Sequence, residues 1–461
     1  MTGRAPLPPP HDDAAPRRRD RHRRVAQWGA VVLGLSAATG IAAVTLGLPG
    51  GAGTPAGAAL GAAVGAVLGA LLMHRQMILP RGLPVLTYHS VSEDAAWLPW
   101  ARDTSIRPAT LDRHLRLFAR MGLRVVDTET LTRDRLAGRP LPRNAVALHF
   151  DDGYLDTWVA AAPILAGHGA CATVFVSTDF IAPDRPLAPR MGDSAHLRWD
   201  GYMSWRELRQ LEAQGLKVEA HGTDHGRVET GPEVRARVTG ADRARHAPLL
   251  WSCAPGPKHD WHLTERWLPA EGAVLRPSAP ALAARRWRFV GIETDAAYRA
   301  RLARTFQTVD RVFRTHLGRP PRLFCWPENR ATPEGRTAAQ NAGYLATTAG
   351  AGRNTASEDP RVIARLHAGQ DYAGVRCGPL DDLALRAHIR CFQGNLYWAL
   401  PLCAIAAIRR VARLLRRPAA SAGTGMGRTP DTCARTVVRT AAGSAPVSGP
   451  VSAPSPERAA S

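Results

Sequence analysis

From Leu83 to residue 385 the sequence alternates short apolar runs with stretches of helical spacing, and few architectures accept that rhythm. Pro84–Tyr88, Leu123–Val126, Ala145–Phe150, Ala172–Val176, Leu216–Glu219, Arg322–Trp326, Tyr344–Thr348 and Val362–Leu366 read as strands. Leu111–Met121, Thr157–Leu165, Trp205–Ala213 and Asp295–His316 read as helices, Ser204 and Thr294 as N-caps, Gly318 as a stop and Thr332-Pro333 as a further helix start. Repeated βα units imply a mostly parallel sheet or barrel whose chemistry sits at the C-terminal ends of the strands. Residues 227–293 break the rhythm with an insertion rich in Trp, Pro and Arg.

The N-terminal region obeys another constraint. Residues 1–24 are rich in Pro and Arg and are expected to be a basic, disordered tail. Val25–Leu48 is then apolar and uncharged, long enough to cross the roughly 20-residue depth of a bilayer core. A second apolar run, Ala56–Met73, follows a neutral loop. Basic residues flank the pair on its outer sides, Arg17–Arg24 before and Arg75 and Arg81 after. Residues 25–76 are therefore expected to form a transmembrane hairpin with both ends cytoplasmic. The alternative is a single anchor at Val25–Leu48 with a flexible Gly/Ala tether, which would put the globular domain outside.

The net charge of +21 would point to nucleic acid if it lay on one compact face. Much of it lies at the ends instead: seven Arg against three Asp in residues 1–24, and nine Arg against two acids in residues 401–461. That distribution fits charge facing a membrane, and no nucleic-acid partner is expected. The seven Cys include no CxxC pair, which argues against a disulfide scaffold and a structural zinc knuckle and favours a reducing compartment. Residues 386–417 combine Tyr397 and Trp398 with Leu402, Ile405, Ile408, Val411 and Leu415 at helical spacing, and Arg409, Arg413 and Arg416 on another face. The pattern fits a membrane-associated amphipathic helix, and equally a terminal helix packed on the domain. Residues 418–461 are expected to be a disordered tail.

Two clusters carry chemistry. His149-Phe150-Asp151-Asp152-Gly153-Tyr154 ends a strand with adjacent carboxylates. Side chains alternate along an extended chain, so one can bind a metal while its neighbour serves the same site as a base. An Asp-Asp pair alone is as readily a turn or a helix cap. His221-Gly222-Thr223-Asp224-His225 follows the next-but-one strand, and two His four apart can reach one ion.

Together the clusters resemble the polysaccharide deacetylases of the NodB-homology type, carbohydrate esterase family four. The first family motif, Thr-Phe-Asp-Asp-Gly, corresponds to His149–Gly153, and the second, His-Ser/Thr-x-x-His, to His221–His225 with Gly222 at the Ser/Thr place. Tyr88-His89-Ser90 looks like the opening strand of the branch that acts on poly-N-acetylglucosamine, and Gly343-Tyr344 and Arg365 fall where the family has its closing strands. The resemblance spans residues 83–370 and implies a distorted parallel βα barrel in residues 83–385. It implies that Asp152, His221 and His225 hold a divalent metal, expected to be zinc, that Asp151 is the general base, and that the Tyr154 backbone N–H helps stabilise the oxyanion. His89, Trp326 and Pro327 are expected to touch substrate.

Departures from the pattern are definite. The third motif, Arg-x-Pro-aromatic-Gly, appears as Cys325-Trp326-Pro327-Glu328-Asn329, so the Arg that orients the base is a Cys, with Arg330 within reach as a replacement. The fourth motif has no visible counterpart. The last, which supplies the general acid, points to His367, with His89 and His259 as rivals. In the insertion, Trp251 and Trp261 are placed either to stack on sugar rings or to pack on the domain. The expected activity is metal-dependent removal of acetyl from an N-acetylated amino sugar, in a polysaccharide or a lipid-linked glycan, at the cell membrane, with the catalytic domain cytoplasmic. The alternatives are deacylation of another amide or ester and a glycan-binding protein without turnover.

Overall fold

The computed structural model describes residues 15–45 and 55–415. The apolar runs of the central region become the parallel strands β1 (Val85–Tyr88), β2 (Ala145–Phe150), β3 (Thr173–Val176), β4 (Lys217–Ala220), β5 (Leu323–Phe324), β6 (Ala346–Ala349), β7 (Val362–Ala364) and β8 (Leu366–His367). Each pairs with the next from β1 through β7, and β8 pairs back onto β1. Only Arg365 separates β7 from β8, so one interrupted strand bonds β6 with its first half and β1 with its second, closing the sheet into a barrel. A short extra strand, Arg124–Val125, pairs with the start of β2. The distortion is therefore localised: the barrel is parallel throughout and breaks stride at Arg365.

Strand alternation divides the side chains. Val85, Ala145, Ala147, Phe175, Leu323, Cys325, Ala346 and Ile363 form the small cluster inside the barrel. Leu86, Leu148, Phe150, Val174, Val218 and Phe324 join the larger cluster beneath the outer helices. Helix Asp295–Leu317 shows why those helices form. Tyr298, Leu302, Phe306, Val309 and Phe313 fall on one face and are buried, Thr294 caps the start by accepting from Ala297 N at 3.2 Å, and Gly318 ends it at φ 70°. Ser204 and Glu207 form a reciprocal capping box at the head of Trp205–Ala213.

The insertion 227–293 folds as three small antiparallel ladders: Arg227–Glu229 with Ser278–Pro280, Ala236–Arg237 with Val274–Leu275, and Trp287–Arg288 with Gly291–Ile292. Lys258, buried in the insertion, ties it to the barrel by a 3.0 Å ion pair with Asp179, just beyond the end of β3. Trp251 and Trp261 are buried in an aromatic cluster with Trp97, Trp100, Phe180 and Tyr202. They pack on the domain, although Trp251 also borders the cavity described below.

Two N-terminal helices, Ala15–Thr45 and Pro55–Leu72, lie antiparallel. The first begins ten residues before the expected span, so residues 15–24, read above as disordered tail, are helical. Within it, Arg18–Val44 is long and apolar enough to cross a membrane; the second helix is shorter. Gly61, Gly65 and Gly69, four apart, bring the two backbones together: a Cβ on Gly61 would lie 2.7 Å from Thr39 O, and one on Gly69 2.9 Å from Val32 Cα. Thr39 Oγ1 donates to Gly61 O at 2.6 Å and Ser36 Oγ to Ala62 O at 2.9 Å. At the chain's other end, residues 386–392 belong to helix Gly378–Phe392, whose Leu385 and Ile389 join the main core, rather than to the helix that follows. In Ala399–Leu415, Ile405 packs inward beside Ala373 and Ala384, while Ile408, Val411 and Leu415 stay exposed. The expected tail, residues 418–461, lies outside the described residues.

Cysteines placed at Ser36 and Ala62 should cross-link on oxidation, and adding Gly61→Val with Gly65→Val should remove most of that cross-link. Electrophoresis under non-reducing conditions reads the result, and an unchanged yield would disprove glycine-dependent packing.

Candidate active site

The inward-facing residues at the C-terminal ends of the strands converge. His89, Asp151, Ser177, His221, Arg365 and His367 all line one cavity of about 870 Å³. The ladders fix their backbones: Asp151 N donates to Tyr88 O at 3.0 Å, His221 N to Val176 O at 2.9 Å, and Ala368 N, after His367, to Thr87 O at 3.0 Å. The two clusters that are 70 residues apart in sequence thus meet because β2, β3 and β4 are adjacent in the barrel.

Asp151 ends β2 in extended register, and the chain then turns through Asp152 at φ 74° and Gly153 at φ 75°. Asp accepts a left-handed backbone better than most residues, whereas a Cβ on Gly153 would meet Ile181 Cδ1 at 2.8 Å. The turn sends the two carboxylates to different partners. Asp152 Oδ1 lies 3.2 Å from His221 Nε2 and 3.8 Å from His225 Nε2. That oxygen is buried and has no hydrogen bond in the structure. His221 Nδ1 lies 2.8 Å from Cys325 O, so a proton on Nδ1 leaves Nε2 as the free donor atom. Two imidazoles and a carboxylate with all three ligand atoms within 4.8 Å fit a zinc-type site with one position left over. Asp151, His221 and Cys325 are equally close together, but both oxygens of Asp151 already hold a cation, which disfavours a metal there.

That cation is Arg365. Its Nη1 donates to Asp151 Oδ1 at 2.8 Å and Oδ2 at 2.7 Å, and its Nε to Asn329 Oδ1 at 3.2 Å. Cys325 Sγ and His89 Nε2 approach Asp151 Oδ2 at 3.5 and 3.8 Å. Burial alone would raise the Asp151 carboxyl, but Arg365, then His221 and His89, hold it below the ordinary carboxylate range. Asp152 is lowered too, burial again opposing and the two imidazoles prevailing. His221 is raised well above the usual imidazole value by Cys325 and Asp152 against burial, while burial pushes His225 down to about 4.

The remaining expected residues divide. Tyr154 lines the cavity, with its hydroxyl accepting from Trp100 Nε1 at 3.1 Å. His367 and His89 have ring centroids 5.7 Å apart in the cavity, whereas His259 is not among the lining residues. His367 is exposed to solvent, and the positive neighbours His89 and Arg365 hold its pKa below the ordinary imidazole value. Trp326 and Pro327 do not reach the cavity. Both are buried, and the Trp326 ring packs on Phe324 and Phe306, because its position in the alternation faces the helices. Glu328 and Asn329 line the cavity in their place, turned by φ of 52° and 57°. Arg330 does not replace the missing Arg; Arg365 does, from a different strand. Alternation could have found it, since Ile363, Arg365 and His367 share one face. The insertion's contribution, Arg227, Arg235, Arg245 and Arg276, left no sequence signal that places it over the site.

Residues 138–246 match the polysaccharide deacetylase family. A poly-β-1,6-N-acetyl-D-glucosamine N-deacetylase of Escherichia coli is 24% identical over 183 residues, covering 34% of this chain and 27% of that protein. The chain thus spans about a quarter of the length of the curated relatives it matches first. Among solved structures, a de-N-acetylase from Aggregatibacter actinomycetemcomitans matches at 20% identity and TM-score 0.44, over 62% of this chain and 94% of that one. The deacetylase domain of BpsB from Bordetella bronchiseptica matches at 20% identity and TM-score 0.43, over 63% and 97%.

Arg365→Ala leaves the buried Asp151 carboxylate unpaired and should destabilise the domain by about 3–5 kcal/mol. Adding Cys325→Arg, which restores a guanidinium from the end of β5, should recover much of that loss. Chemical denaturation of the two variants beside the parent measures both, and no recovery would mean that the two positions are not interchangeable around Asp151.

Proposed function

We propose that the chain carries a polysaccharide deacetylase domain of the NodB-homology type and is a metal-dependent N-deacetylase that removes acetyl groups from an N-acetylated amino sugar. One observation carries the reading: a two-His, one-carboxylate set lies beside a second carboxylate that an arginine keeps ionised, inside one cavity. Neither a membrane scaffold nor a glycan-binding protein without turnover has a need for that pairing.

Asp152, His221 and His225 would hold the ion, zinc by their chemistry. A divalent ion held there would supply Lewis acidity, bringing the pKa of a water to about 7 and polarising the amide carbonyl. Asp151 takes the proton from the attacking water, a role for which Arg365 both orients it and keeps it deprotonated. The Tyr154 backbone N–H, just past the Asp152-Gly153 turn, is assigned to the oxyanion. His367 is the candidate donor to the leaving amine, with His89 beside it. His89 also borders the substrate space. The substrate class is an N-acetylated glycan or lipid-linked sugar.

We also infer that the two N-terminal helices form a membrane hairpin. The glycine-lined packing supports a paired structure over an anchor with a flexible tether, and the flanking arginines favour the cytoplasmic side for both ends.

Acetate release from N-acetylglucosamine oligomers and lipid-linked N-acetyl sugars, with and without chelator, tests the activity; activity indifferent to chelator would overturn the metal role. His221→Ala should lose most bound metal and nearly all turnover while staying folded. Asp151→Asn should keep the metal but lower turnover by about 10²-fold or more, whereas Asp152→Asn should weaken metal binding. Equal metal loss in both would refute the division of roles. Removing the Arg365 cation lets burial raise Asp151, so any residual activity of Arg365→Ala should fall away at higher pH than the parent's as the solution is acidified. Topology is read by reporter fusions: an export-active reporter should respond after Leu48 and a cytoplasm-active one after Arg81. An export-active signal after Arg81 would place the domain outside.

A further inference from the structure

The wall that the insertion contributes to the cavity holds Arg227, Arg235, Arg245, His246 and Arg276, and no acidic residue from residues 227–293 lines it. Two of these arginines are committed. Arg227 pairs with Glu328 and donates through Nη2 to Ser278 O at 2.7 Å, and Arg276 Nη1 pairs with Glu229 at 3.2 Å. Arg235 and Arg245 are exposed, and among the described residues neither side chain has an ion-pair or hydrogen-bond partner. Arg276 Nε is buried without a hydrogen bond. The lining carboxylates do not answer this charge. Asp151 is held by Arg365, Glu328 by Arg227, and Asp152 faces the two imidazoles. Asp103 lines the cavity from the short helix Ala101–Thr104, outside the insertion.

A concave wall of one sign focuses its field into the cavity and raises the local concentration of ligands of the opposite sign. Guanidinium groups bind phosphate and carboxylate through paired, charge-assisted hydrogen bonds. The same wall repels a cation. Hydrolysis of an N-acetyl amino sugar leaves an ammonium group, so a polymer deacetylated at many residues is a polycation that this wall disfavours.

We propose that the site takes an anionic substrate: an N-acetylated amino sugar carrying a phosphate or carboxylate group close to the acetylated residue, bound by Arg235 and Arg245. This rests on the deacetylase reading and adds the charge of the substrate to it. Trp100, half-buried, borders the same cavity and fits the rest of a sugar.

The test uses the full-length, metal-loaded protein in detergent. Acetate release is compared for a neutral N-acetylglucosamine tetramer, N-acetylglucosamine 1-phosphate, a prenyl-diphosphate-linked N-acetylglucosamine, and a disaccharide of N-acetylglucosamine with a uronic acid. At least one anionic substrate should exceed the neutral tetramer in kcat/KM by about tenfold or more, the effect of a hydrogen bond to a charged group. The advantage should shrink as salt rises. The preferred anion identifies the source: free or lipid-linked phosphate, or uronate. Arg235→Ser with Arg245→Ser should collapse the anionic-to-neutral ratio, chiefly through KM. A parental ratio near one overturns the proposal, and so does a ratio that survives the double substitution. Calorimetric binding of N-acetylglucosamine 1-phosphate against N-acetylglucosamine reads the same preference without turnover. Anion preference in binding without acetate release from any substrate would therefore sink the deacetylase reading and leave the anion site standing, whereas acetate release without charge preference would do the reverse.

Discussion

The contact between Arg365 and Asp151 joins the barrel's closure to its chemistry. The final strand bonds β6 with residues 362–364 and β1 with residues 366–367, and Arg365 sits at the break. Its guanidinium spans both oxygens of a carboxylate that is 1% exposed. Burying either charge alone costs several kcal/mol, so each is tolerable only with the other present. The last strand cannot slip by one residue without turning Arg365 to the outer face and leaving Asp151 uncompensated. The register of the closing strand and the ionisation of Asp151 are thus fixed by one pair of groups.

The same logic explains how the geometry around Asp151 is kept with Cys325 where the resemblance leads one to expect an Arg. What Asp151 requires is a cation of suitable shape within about 3 Å, and the direction from which it arrives is secondary. Around a barrel, inward positions on different strands reach the same central volume. Cys325 and Arg365 both contact Asp151, from β5's end and from between β7 and β8. The motif has moved by strand while its physical content has stayed.

Much of this was legible in the sequence. Apolar runs and caps located the barrel strands and several of the packing helices, though not Thr128–Leu136 or Gly378–Phe392, because burial and capping are local demands that leave local marks. The carboxylate pair and the two His stood out because their chemistry needs specific residue types at fixed spacing. Arg365 belongs to no motif and lies within a strand, so only its face marks it; Ile363, Arg365 and His367 alternate inward in the sequence itself. Trp326 failed for the complementary reason: an aromatic beside a motif proline looked like a sugar platform, and alternation put it among Phe306 and Phe324 instead. The arginines of the insertion could not be placed at all. Their approach to the cavity depends on non-local ladders such as Arg227–Glu229 on Ser278–Pro280, and on the buried Lys258–Asp179 pair, neither of which has a local signature.

The attachment of the N-terminal helices bears on how a substrate reaches the site. The chain enters β1 at Val85, and Leu79 N bonds Gly394 O just past helix Gly378–Phe392. Near the same junction Trp28 packs edge-on against Tyr397 at 5.8 Å, and His74 Nδ1 lies 3.1 Å from the Tyr397 hydroxyl. These contacts lie at the N-terminal end of β1, whereas the cavity opens at its C-terminal end, beyond Tyr88. Aromatic residues of this kind suit the edge of a bilayer, where an apolar ring meets a wet hydroxyl or N–H. The two N-terminal helices join one end of the barrel and the cavity lies at the other, so the opening faces away from the point of attachment. With the proposed membrane hairpin at that junction, the arrangement suits the proposed sugar presented from the aqueous phase, or on a long carrier, over one held flush with the lipid surface. It also fits the role proposed for the arginine-bearing insertion: a site facing away from a membrane hairpin would draw its substrate from solution, and a field of fixed sign is a physical means of doing so.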